Sequence, residues 1–139
     1  MKHVLRLSIF AFLMFALIAP CFAMMGLAIV SPKEAKELGL DLRIKDSGPN
    51  AVWVELEFKP EGRFKDFQHV SLEITDGDKL LLGYTALKET REGGKITVRS
   101  MISRAYLDKT TLRIVTGFPM NYTGHDLRLK EFIKAEKAP

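Results

Sequence analysis

Cysteine and tryptophan each occur once in these 139 residues, histidine occurs three times, and neither sign of charge dominates. The one cysteine, Cys21, lies in an apolar N-terminal stretch. If the chain is cleaved after Ala23, the rest has no thiol. Disulfides, thiol catalysis, thiolate zinc sites and iron–sulfur clusters are then excluded for residues 24–139, and a hydrophobic core must hold them together. The formal charge of +4 shrinks once residues 1–23 are set aside, because they hold Lys2 and Arg6 and no acid. The remaining 19 bases and 17 acids are too evenly matched to imply nucleic acid as a partner. A single domain is all that 116 residues support.

What is present begins with a targeting pattern. Lys2 and Arg6 precede an apolar run from Leu7 to Ala19, broken only by Ser8. Pro20 ends it, and Cys21-Phe22-Ala23 puts small residues three and one before a cleavage point. This reads as a secretory signal peptide over 1–23, with export to a periplasmic or extracellular location. The alternative is an uncleaved anchor over residues 7–30, long enough to cross a bilayer but interrupted by Pro20 and Gly26. Acylation of Cys21 is disfavoured by the proline before it.

Ser31-Pro32-Lys33-Glu34 has the form of a helix start, with a capping serine, proline at the first helical position and a capping-box glutamate; Leu38-Gly39 supplies the stop. Beyond it the hydrophobic period changes from 3.6 to 2. Val52, Val54, Leu56 and Phe58 alternate with Trp53, Glu55 and Glu57. The same alternation covers 40–45, 70–75, 95–102, 111–114 and 126–130, with turn signals at Ser47-Gly48-Pro49-Asn50, Asp76-Gly77-Asp78 and Gly93-Gly94. Such alternation is that of half-buried antiparallel strands. The expected fold is mainly β, an antiparallel β-sandwich, immunoglobulin-like, with one short N-terminal helix, spanning 24–133 and followed by a solvated tail over 134–139. One curled sheet carrying the helix is the alternative. Ser103 to Lys109 is too polar to continue a strand and is expected to cross between sheets, with Leu107 plugging the edge.

No catalytic constellation emerges. There is no Gly-x-Ser-x-Gly elbow, and His69 and His125 sit in no motif, as surface or rim histidines do. Glu55 and Glu57, two apart on one strand, lie about 7 Å apart, within the range of inverting glycosidases. Two neighbours on one strand share a side, however, whereas those enzymes flank a sugar; a solvated sheet face explains the pair. Asp76 and Asp78 belong to a hairpin turn rather than a calcium loop, and Asn121-Tyr122-Thr123 fits a glycosylation acceptor. Met24, Met25, Met101, Met120, His69 and His125 would suit copper chemically, but their spacing forms no motif.

Trp53 is the distinctive residue. With Val54 and Leu56 facing inward it faces outward beside Glu55 and Glu57, unless the short helix or the N-terminal segment covers it. An outward tryptophan among polar groups stacks on sugars or anchors proteins, and Tyr84, Tyr106 and Tyr122 are candidates to extend its surface. The expected function is that of a non-enzymatic exported β-domain binding a protein or envelope component through Trp53, Glu55 and Glu57. It uses no cofactor, metal or nucleic acid, and touches membrane only if the N-terminal segment is uncleaved. The alternative is a small periplasmic copper-binding protein using histidine and methionine.

Overall fold

The structure, a computed structural model, describes residues 26–136. The signal-peptide and anchor readings, Cys21, Met24 and Met25 therefore fall outside the described residues. Among the described residues nine strands form two sheets. In chain order they are β1 (Gly26–Ile29), β2 (Asp41–Asp46), β3 (Ala51–Phe58), β4 (Phe67–Asp76), β5 (Lys79–Ala86), β6 (Glu89–Glu92), β7 (Lys95–Ser103), β8 (Thr110–Phe118) and β9 (Asn121–Arg128). One sheet runs β1-β9-β8-β4-β5 and the other β2-β3-β7-β6. All pairings are antiparallel except β1 with β9, which is parallel. The architecture is mainly β and sandwich-like, with two sheets rather than one curled sheet.

Alternation places the core. Val52, Val54, Leu56 and Phe58 of β3 and Ile96, Val98 and Ile102 of β7 meet Val70 and Leu72 of β4 and Leu112 and Ile114 of β8 in one buried cluster. Phe64, from the 59–66 loop, enters the same cluster, with its ring edge-on to Phe58 at 5.5 Å. The segment Arg104–Lys109 forms a 3-10 turn that carries the chain from β7 in one sheet to β8 in the other, and Leu107 packs against the core there.

Helix α1 (Pro32–Glu37) starts where the sequence places it. The Glu34 N–H donates to Ser31 Oγ at 3.3 Å and proline stands in the first turn. The Glu34 carboxylate does not close the capping box; it accepts from Arg63 Nη1 at 2.5 Å instead. Helix α2 (Leu129–Glu136) departs from the expected strand over 126–130. The strand stops at Arg128 because Leu129, Phe132 and Ile133 repeat at helical spacing, with Leu129 buried and Phe132 packed on the core. Residues 134–136 are exposed, yet they are the last turn of this helix. Among the described residues no helix is long and apolar enough to cross a membrane.

Candidate functional site

The outer face of the four-stranded sheet carries the residues that the sequence singles out. Register sets them in rows: Lys45, Trp53 and Met101; Arg43, Glu55 and Arg99; Asp41, Glu57 and Thr97. Because β2, β3 and β7 all turn their aliphatic residues inward, their outward positions form one continuous surface.

Glu55 is not on a solvated face, contrary to the sequence reading. It is only 5% exposed, beneath three cations. Arg43 Nη2 lies 2.9 Å from Oε1 and Lys45 Nζ 3.9 Å from it, while Arg99 Nε donates to Oε2. Cross-strand neighbours on both sides of a central strand produce this burial: long basic stems fold over a shorter acid. Glu57 accepts from Lys95 Nζ at 2.6 Å and has Arg43 at 3.5 Å. The Lys95 hydrogen bond, outweighing partial desolvation, holds the Glu57 carboxyl below its ordinary value. A general acid at neutral pH needs the opposite shift. Both carboxylates thus sit on one side, as their spacing implies, and both are engaged by cations rather than set for proton transfer.

Trp53 is 40% exposed, and its cross-strand neighbour Met101 is 55% exposed. Sequence reasoning missed Met101 as part of this patch, although its place in the outward series Lys95, Thr97, Arg99, Met101 marked it. The tyrosines proposed to extend the surface do not. Tyr84 and Tyr122 lie on the other sheet and Tyr106 lies in the crossing turn.

Tyr84 belongs to a separate cluster on the outer face of the five-stranded sheet. Arg113 stands 3.9 Å over its ring and donates to both oxygens of Asp126, at 2.5 and 2.8 Å. Gly124 makes room for this arginine, since a Cβ there would lie 2.8 Å from Arg113 Cδ.

His125 corrects another expectation, for it is buried and points into the core. Its ring lies edge-on to Phe64 at 5.3 Å and its Nε2 is 3.0 Å from Thr116 Oγ1. Burial, reinforced by nearby Arg63, pushes its pKa down. His69 is exposed on β4, on the opposite face of the same sheet. Met101 lies on the other sheet and Met120 in the β8–β9 turn, so these four copper candidates are not brought together. Asp76 and Asp78 flank a β4–β5 hairpin turn, where Asp76 accepts from Lys109 Nζ at 2.9 Å. Among the described residues no three His, Cys, Asp or Glu side chains gather as a metal set.

Compared with known protein families, curated proteins and solved structures, the chain matches none.

Proposed function

We propose that this chain is a non-enzymatic exported β-domain with an immunoglobulin-like sandwich, binding a protein or envelope component through the face around Trp53. The observation that carries the reading is the exposed Trp53–Met101 pair set among Lys45, Arg43 and Arg99, on a sheet face whose carboxylates are occupied by cations. Exposed aromatic and methionine side chains framed by charge are characteristic of binding surfaces rather than of folded cores. Export is supported by the residue pattern over 1–23, and the immunoglobulin-like arrangement by two mostly antiparallel sheets with a chain crossing between them.

A photo-crosslinking side chain at position 53, with position 79 on the other sheet as control, tests the reading in intact cells. A discrete adduct from 53 and none from 79 supports it; equal labelling from both overturns it. Trp53→Ala should cost about 1 kcal/mol or less of folding stability by urea melt. Its effect on capture of the crosslinked component should reach about 2 kcal/mol. A large stability loss with unchanged capture would place Trp53 in the fold instead of the interface.

A further inference from the structure

A groove of about 740 Å³ runs between α1, β2 and α2. Five consecutive β2 residues, Asp41 to Lys45, line it. Consecutive strand residues point to opposite faces, so a groove lined by all of them follows the backbone edge rather than one face. Among the described residues that edge is unpaired, because β2 pairs with β3 alone and ends its sheet.

The other sheet edges are guarded. β1 and β6 have four residues each, and the register of β5 against β4 shifts twice. β2 keeps unbroken register with β3 over all six of its residues. Its inward Leu42 and Ile44 are only partly buried, and with Leu40, Ala35 and Phe132 they give the groove an apolar floor. Around it stand Lys33, Lys36, Arg43 and Lys45 against Asp41 and Glu136. Asp41 is already paired with Arg43 at 3.2 Å, whereas the Lys33 and Lys36 ammonium groups have no ion pair or hydrogen bond among the described residues. A second copy of β2 paired antiparallel about Arg43 would set the two arginines opposite each other at the centre of the pair, a repulsion that an acidic partner strand does not meet.

We propose that this groove takes an extended segment of a partner protein as an added strand on β2, with apolar residues at alternate positions and acidic residues between them. This rests on the reading of the chain as a binding module and specifies its partner. Backbone hydrogen bonds to the β2 edge supply affinity; alternate side chains enter the apolar floor, and the others meet the lysines. Those outward side chains lie on the same sheet face as Trp53, one strand beyond Lys45.

Phage-displayed random peptides as long as the six residues of β2, selected against the folded domain, provide the probe. Enriched sequences that alternate apolar and acidic residues support the proposal when the selected peptide also slows amide exchange in β2. The double variant Lys33→Glu/Lys36→Glu, at two exposed positions, should weaken that peptide tenfold or more. Failure to enrich, enrichment without alternation, or protection of a different edge overturns the proposal. Sodium laurate displacing the peptide while leaving β2 amides unprotected overturns it in favour of an anionic amphiphile. An adduct from position 53 with β2 unprotected leaves the binding module standing and removes strand addition. Protection of β2 with no adduct from 53 keeps strand addition and removes the Trp53 face.

Discussion

Glu55 and Leu56 are adjacent on β3, and both are buried, for different reasons. Leu56 lies in the sheet-to-sheet core, so Leu56→Ala should cost about 2–5 kcal/mol. Glu55 is covered from outside by Arg43, Lys45 and Arg99, whose own side chains remain substantially exposed. Removing its carboxylate leaves those cations able to return to water, so Glu55→Ala should cost about 1–2 kcal/mol, more than an ordinary surface change and less than the leucine. Urea melts of both variants check the order. His125 gives the chain a pH dependence of its own. Its pKa is lowered in the fold by burial, so the unfolded chain takes up the proton first as pH falls. Its contribution is full above the ordinary histidine value near 6.5 and is lost as pH drops from there toward the folded value. Stability should therefore decline between pH 7 and pH 5, and His125→Leu should flatten that decline whatever it does to the absolute value. An unchanged slope would rule His125 out as its source.

At the scale of elements, the β8–β9 hairpin depends on one glycine. Gly117 has φ +103°, its N–H donates to Asp66 O at 2.9 Å and its carbonyl accepts from Gln68 Nε2 at 2.8 Å. A Cβ there would collide with the Asn121 carbonyl. Gly117→Ala should cost about 2 kcal/mol or more by thermal melt, from positive φ and backbone collision together. The same scale shows what the sequence made legible. Strands β3, β4 and β7 and helix α1 are written in local pattern: alternation of Val52 through Phe58, and Ser31-Pro32 before an apolar face. Helix α2 was missed because Leu127 and Leu129 also satisfy a period of two, and only Phe132 and Ile133 reveal the change of period. The burial of Glu55 was missed because it comes from neighbouring strands, Arg43 on one side and Arg99 on the other, and cross-strand register is not a local signal. Trp53 was legible as outward facing; its companion Met101 needed the β3–β7 register, and the groove beside β2 needed the positions of both helices.

For the whole molecule, the N-terminal pattern and the fold meet at Gly26. Cleavage after Ala23 would leave β1 to begin almost at the new terminus, and N-terminal sequencing of the exported protein should find Met24 or a residue close to it. An intact Met1 in the membrane fraction would favour the anchor instead. Among the described residues strand β1 pairs with β9 alone, Gly26 opposite Thr123 and Ile29 opposite Asp126. Its partner lies roughly 100 residues further along the chain. Pairings this distant in sequence form slowly, because the loop between them must be ordered before the contact repays it. Among the described strands β1 has no partner until β9 is made, so that edge of the five-stranded sheet stays open until the last of its own strands is in place. Late closure of this kind would keep the chain threadable for the export proposed above, since the sheet is complete only once β1 and β9 share a compartment.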